Sequence, residues 1–227
     1  MPLSSFKSKN FLWILPPLVL WLGLYTLRPI TIKPWCAVQP TPCTEAAVNA
    51  FDRIVFGHHS VFCDFLSNVV QNGMAVVFVL LPVVLIRNTA KLFRLESYIL
   101  AGVFWNGTIL EITRIFAERP RPLVMNDPMG DGSHVVQYTS FYSGHTSFVA
   151  YAALISVLWM NHSELTRAKY GKLAWILYPI VVILTATLRV LAGRHYPTDT
   201  ICGAIAGSLM AWFTFKRYQA NHSLDSI

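Results

Sequence analysis

Apolar runs and polar, proline-bearing stretches alternate along this chain, and their lengths predict helices that cross a bilayer. The apolar runs are Phe11 to Leu27, Phe65 to Ile86, Ser97 to Thr113, His145 to Asn161, Leu173 to Leu188 and Thr200 to Phe215. The second of them holds no charged side chain. Spanning the hydrocarbon takes about 20 mainly apolar residues, with about 17 near the lower end, and several of these runs sit at that end. The pattern predicts an all-α polytopic membrane protein, a bundle of six transmembrane helices. Pro179 predicts a kink whose freed backbone groups are satisfied by neighbouring helices. Gly203, Gly207 and Ala211 form a small-residue stripe suited to close helix packing.

Two polar connections are long. Arg28 to Asp64 holds Pro29, Pro34, Pro40 and Pro42 and the cysteines Cys36, Cys43 and Cys63. Within it, Glu45 to Phe56 spaces Ala46, Val48, Ala50, Ile54 and Val55 as a short surface helix lying at the interface would. Cys36 and Cys43 close a small loop, and spacing alone leaves a disulfide and two free thiols equally open. His58-His59 lacks the further ligands a metal site needs and reads as an interfacial feature. The second connection, Arg114 to Tyr142, carries Pro120, Pro122, Pro128, Gly130 and Gly132. No linker separates two units, so residues 1–227 read as one domain, with a core at 97–215.

Composition agrees with the hydropathy. Hydrophobic residues make up 54% and charged residues 13%, against about 25% charged in a soluble domain. The net charge of +7 is scattered between apolar runs rather than gathered on one face, which argues against nucleic acid as a partner. Lys7 and Lys9 before the first run resemble the basic start of a signal peptide. No small-x-small site follows Tyr25, however, so the expectation is a retained first helix. An N-terminus on the inside puts Arg87, Lys91, Arg94, Arg167, Lys169, Lys172, Lys216 and Arg217 inside as well, the bias expected of cytoplasmic loops. The two long connections then lie outside, where a Cys36–Cys43 disulfide is expected.

The outer ends of the runs carry the chemistry. Leu188 to Asp199 places Arg189, His195 and Asp199 between two apolar runs, and charged groups there are costly unless they have a use. Pro197 suits the first turn of a helix. On such a start the Asp199 carboxylate would face His195, fix its tautomer and stabilise an imidazolium. A basic patch meeting lipid phosphates is the plainer alternative, and this stretch alone leaves both open. Ser143-Gly144-His145 opens the fourth run, and Glu111 and Arg114 are spaced to pair on one helix face. Arg114 is followed seven residues later by Arg121-Pro122.

In order, these read Arg-x6-Arg-Pro, then Ser-Gly-His, then Arg-x5-His-x3-Asp, a pattern that closely resembles the three-part signature of the type 2 phosphatidic acid phosphatase family of membrane lipid phosphatases. The resemblance runs from about Arg114 to Gly207. It implies a nucleophilic His195 oriented by Asp199, and a His145 that protonates the leaving group and later activates water. Arg114, Arg121 and Arg189 would hold the phosphate, together with the Ser143 hydroxyl and the Ser143 and Gly144 amides at a helix start. Arg119 and Arg194 fall outside the spacing and read as lipid headgroup contacts. No cofactor or metal is expected, since no carboxylate cluster suited to magnesium accompanies the motifs.

Three positions depart from the family pattern: Arg114 stands for lysine, Tyr142 for proline and Leu188 for serine. The implied substrates are lipid phosphates or diphosphates such as phosphatidic acid, phosphatidylglycerol phosphate, undecaprenyl diphosphate or lipid A phosphates. A headgroup would enter laterally from the bilayer. A lipid phosphotransferase would use the same residues, and a non-catalytic lipid-phosphate binding or transport protein would need only the arginines. The expected location is a bacterial inner membrane, with both termini cytoplasmic and the site facing the periplasm. Oligomeric state is left open.

Overall fold

A computed structural model of the chain describes residues 3–38, 42–86, 88–162 and 164–221, the side chains of 3–12, 85 and 165 aside. Pro40 and Arg87, and the side chains of Lys7 and Lys9, thus lie outside the described residues. The helices are α1 (Leu3–Thr31), α2 (Val61–Leu85), α3 (Thr89–Ala117), the short α4 (Pro122–Asn126), α5 (Gly144–His162), α6 (Glu164–Leu191) and α7 (Pro197–Asn221). No strand occurs among the described residues.

Each long helix outruns the apolar run that announced it. α3 starts at Thr89 rather than Ser97, and α6 at Glu164 rather than Leu173. Hydropathy marks the part of a helix that lies in hydrocarbon. The backbone ladder continues past it wherever the side chains are good helix formers and a cap is at hand. Asn88 caps α3 by accepting from Ala90 N and Lys91 N, and Ser60 caps α2 by accepting from Cys63 N. Pro197 opens α7, as its fixed φ and missing N–H favour.

α5 is the centre of the bundle, with most of its residues buried from Thr146 to Trp159. α7, α6 and α2 pack around it, and α1 leans on α3. The small-residue stripe of α7 lies directly on α5. A Cβ added at Gly207 would come within 2.0 Å of Ser147 O, and one at Gly203 within 2.6 Å of Ser143 O. α1 is fastened by Thr108 Oγ1 donating to Pro17 O at 3.0 Å and by the Arg28 guanidinium gripping both oxygens of Glu111.

Among the described residues four segments are long and apolar enough to cross a membrane, against the six expected: Trp13–Thr31, Val61–Val84, Thr89–Asn126 (α3 with α4) and Thr166–Leu191. Their outer faces present large apolar side chains such as Val76, Val84, Ile180, Ile183 and Leu184, as an integral membrane protein must. α5 and α7 are less apolar because their outer turns carry the polar motif residues and because Gly and Ser serve their mutual contact. α5 is also shielded by its neighbours.

The loop between α1 and α2 differs from the expected interfacial helix. Glu45 to Phe56 forms two separate 3-10 turns, Glu45–Ala47 and Asp52–Val55. Asn49 breaks the segment by accepting from Asp52 N with its side chain, and the Arg53 guanidinium takes the carbonyls of Val48 and Ala46. Such local side-chain bonds compete with a helical ladder. Val48 and Val55 are buried against Tyr196, so this loop covers the start of α7. Cys36 and Cys43 are joined by a disulfide and packed with Ile32, Leu123, Val124 and Tyr138. Tyr138 Oη accepts from Cys36 N and donates to Gly132 O, tying the two long connections together.

Candidate active site

The motif residues come from helix ends that share one end of the bundle. Arg114 lies in the last turn of α3 and Arg189 in the last turn of α6. Arg121 caps α4, held by its own N–H donating to Gln137 O at 2.7 Å. His145 is the second residue of α5, while Asp199 lies in the first turn of α7. His195 sits in the turn between α6 and α7, which Gly193 makes with a left-handed φ of 67°. The charges of Arg121 and Arg189 act on both His195 and His145, and Arg121 also feels Arg114 and Arg194. The residues named by the three motifs therefore converge on one site.

The two ends of this site are satisfied to different degrees. Around His195 the ring Nδ1–H and both oxygens of Asp199 are bonded. His195 Nδ1 donates to the carbonyl of Ser140 at 2.8 Å, while Asp199 Oδ2 lies 3.7 Å away. The expected carboxylate partner is thus displaced by a backbone carbonyl. The Asp199 oxygens are taken by Ser140 Oγ at 2.5 Å, by Tyr196 N at 3.0 Å and by Arg119 Nη1 at 2.5 Å. With Nδ1–H committed, Nε2 carries the free lone pair that a nucleophile needs. Burial, opposed by Asp199 but reinforced by the charges of Arg121 and Arg189, lowers His195 to about 3. The ring is therefore neutral at physiological pH.

The arginines are the opposite case. Arg114, Arg121 and Arg189 each bury an Nε–H that meets no acceptor among the described residues. Arg121 has a single weak contact, Nη2 to Thr139 Oγ1 at 3.4 Å, and no carboxylate within ion-pair distance among the described residues. Arg114 contacts Glu111 at 3.4 Å, but Arg28 takes the better share of that carboxylate. The backbone of Gly144 passes close enough to Arg114 that an added Cβ would lie 3.1 Å from Nη2 and 3.0 Å from Leu110 Cδ2. A buried cationic cluster with open donors is arranged to receive an anion.

Other expected roles change. Ser143 turns inward: its N–H donates to Asp199 O at 3.0 Å, and its hydroxyl lies against Thr146 Oγ1 at 3.0 Å. It joins the starts of α5 and α7 instead of facing an anion. Beyond it, Thr146 N donates to Ser143 Oγ at 3.4 Å and Ser147 N to Ser143 O at 3.0 Å, which leaves the amides of Gly144 and His145 as the open donors of the first turn.

Arg119 and Arg194 meet carboxylates rather than lipid headgroups. Arg119 bridges Asp199 and Asp52 and stacks over the Tyr196 ring at 4.1 Å. Arg194 bonds Asp64 at 2.8 Å. Burial alone would raise Asp52, but bonds from Thr198 and Arg119 hold it below the usual carboxylate range. Sequence spacing missed Asp52, Asp64, Asn68 and Ser140 altogether. The one signal for Asp64 and Asn68 is their polarity at the head of an apolar run. Among the described residues no group of three or more His, Cys, Asp or Glu could hold a metal ion.

Comparison with known proteins gives the family. The sequence profile of the PAP2 superfamily matches residues 90–223, a range that contains all three motifs. No curated protein matches the chain significantly. Among solved structures, a crystal structure described as the first transmembrane PAP2 type phosphatidylglycerolphosphate phosphatase from Bacillus subtilis matches it. The identity is 20%, the coverage 92% of this chain and 98% of that chain, and the TM-score 0.45.

Proposed function

Since the chain belongs to the PAP2 superfamily, whose members are phosphatases, we propose that it is a membrane lipid phosphatase acting through a phosphohistidine at His195. The observation that carries this reading is the set of three buried arginines with open Nε–H groups beside a neutral, oriented imidazole.

The proposed steps are these. Arg114, Arg121 and Arg189 bind the non-bridging oxygens of a phosphomonoester or diphosphate and stabilise the charge that spreads over them in the transition state. His195 Nε2 attacks phosphorus and the bond to the leaving oxygen breaks. That oxygen takes a proton from His145. The phosphorylated imidazole is cationic, and its Nδ1–H remains bonded to Ser140 O. Neutral His145 then removes a proton from water as the water attacks phosphorus, and inorganic phosphate departs with His195 regenerated. Protein groups alone carry this sequence.

The proposed substrates are lipids with an exposed phosphate or diphosphate: phosphatidic acid, phosphatidylglycerol phosphate, undecaprenyl diphosphate or lipid A phosphates. The site lies at the end of the bundle that the basic inner loops assign to the outside, so the proposed setting is the periplasmic face of a bacterial inner membrane. The test is release of inorganic phosphate by detergent-purified protein, with EDTA present, over that panel of lipids beside His195→Ala. Release that disappears in the variant supports the reading. No release from any of the lipids contradicts it, as does release that EDTA abolishes.

A further inference from the structure

The first turns of α2 carry Asp64, Ser67 and Asn68, spaced i, i+3 and i+4 on one helix face. Polar groups at the head of a spanning helix cost free energy unless they are partnered. All three are partnered by side chains of the site, and the Ser67 hydroxyl also donates to the Asp64 carbonyl at 2.7 Å. Asp64 Oδ1 accepts from Arg189 Nη1 at 2.6 Å, and its Oδ2 accepts from Arg194 Nη2 at 2.8 Å. Ser67 Oγ accepts from the same Arg189 Nη1 at 3.1 Å. Asn68 Oδ1 lies 2.7 Å from His145 Nε2. α2 precedes the residues that match the PAP2 profile, so Asp64, Ser67 and Asn68 belong to none of the three motifs.

We propose that α2 supplies positioning residues for the reaction: Asp64, backed by Ser67, aims Arg189 at the substrate phosphate, and Asn68 fixes the ring of His145 for proton transfer. The proposal rests on the phosphatase reading for what the positioned groups then do. Asp64 and Ser67 occupy one corner of the Arg189 guanidinium, Nη1, while the buried Nε–H has no partner. A guanidinium grips phosphate through two parallel N–H groups, and holding Nη1 from behind turns the Nε–Nη2 edge toward the substrate. Arg194 neutralises the other oxygen of Asp64, so that carboxylate is not left facing an incoming anion.

His145 is faced by Arg189 from α6, His195 from the turn before α7, Asp64 from α2 and Arg121 from the start of α4. Of these neighbours the two arginines only donate, Asp64 is bonded to Arg189 and Arg194, and His195 keeps its Nε2 lone pair for phosphorus. The Asn68 amide oxygen is a neutral acceptor within hydrogen-bond distance, so it selects a single ring orientation, with Nε2–H donated to Oδ1. The proton delivered to the leaving oxygen then comes from the other ring nitrogen and returns there from water.

Two measurements on the full chain in detergent test both halves. Orthovanadate binding, followed by titration calorimetry, reads Arg189 without turnover. Asp64→Asn should weaken it roughly tenfold or more, the scale of loss for a misplaced binding group, and Asp64→Glu should recover part of the loss. If Asp64 instead competes with the anion for Arg189, Asp64→Asn binds vanadate more tightly, and either tighter or unchanged binding overturns the proposal.

For Asn68→Ala, kcat is compared on phosphatidic acid, whose alkoxide leaving group needs a proton, and on p-nitrophenyl phosphate, whose leaving group does not. The fall should be at least about tenfold larger for phosphatidic acid, with KM little changed. Equal falls on both esters would mark a merely structural role and overturn the assignment. Wild-type protein that binds no vanadate and cleaves neither ester contradicts the phosphatase reading itself. An active wild type with variants that match it contradicts only the role of α2.

Discussion

The two sides of the site are built on opposite principles. On the His195 side, the carboxylates of Asp199 and Asp52 and the hydroxyls of Ser140 and Thr198 are each bonded, and Arg119 joins both carboxylates. On the arginine side, three guanidinium groups are buried with donors left open. A satisfied network is rigid, and an unsatisfied buried donor costs free energy until a partner arrives. The difference teaches that the nucleophile is held in advance, while the affinity of the arginines is reserved for the phosphate. Removing a group from the first side should cost structure as well as rate. Removing one from the second should cost rate and anion affinity with little loss of fold.

The largest effect expected is that of His195→Ala. Without the nucleophile no covalent step remains, and phosphate release should fall by roughly four orders of magnitude or more, as for other lost nucleophiles. Next comes Arg121→Ala, which removes the site arginine that has no carboxylate partner among the described residues. Loss of one transition-state donor costs about a hundred- to a thousandfold in rate, and the melting temperature should stay at or above that of the wild type. A large drop in stability would break the contrast between the two sides.

Arg119→Met tests the contrast from the other side. It strands Asp52 and Asp199, and breaking such a pair costs about 3 kcal/mol, read as a lower denaturation midpoint together with a lower rate. Gly144→Ala should be milder, because the new methyl must push the Arg114 guanidinium by only a few tenths of an ångström. It should raise KM for lipid phosphate several-fold, with the folded state intact.

The pH dependence should be the smallest effect. Reaction through His195 needs the neutral ring, and the ring is already neutral down to about 3. The acid limb of kcat/KM should therefore not appear at the ordinary histidine value of about 6.5. The same depression has a stability consequence. As pH falls below about 6.5 the unfolded chain takes up a proton at His195 that the folded chain refuses, so stability declines. His195→Gln should flatten that decline, measured as denaturation midpoint against pH.

Much of this was legible in the sequence. The apolar runs located the long helices, Pro197 marked the start of α7, and Gly203, Gly207 and Ala211 announced the face that meets α5. These are periodic or steric signals carried by the residues themselves. The motifs also located His145, His195 and the arginines that converge. What was not legible depended on partners distant in sequence. Arg119 and Arg194 read as headgroup contacts because nothing near them in the chain reveals Asp52, Asp199 or Asp64. Ser143 sits where a helix start would aim it at an anion, yet the approach of α7 allowed by Gly203 gives its amide to Asp199 O. The Glu45 to Phe56 segment has helical spacing, but Asn49 and Arg53 bond its backbone locally and break it into turns. α2 looked like a plain span because Asp64, Ser67 and Asn68 match no motif.

Rapid quenching with a phosphorus-labelled lipid phosphate looks for the covalent phosphohistidine at His195 itself. Label should appear on the wild-type protein, stable to alkali and lost in acid, and should be absent from His195→Ala. Absence of labelled protein at any quench time, or label that survives in His195→Ala, would contradict it.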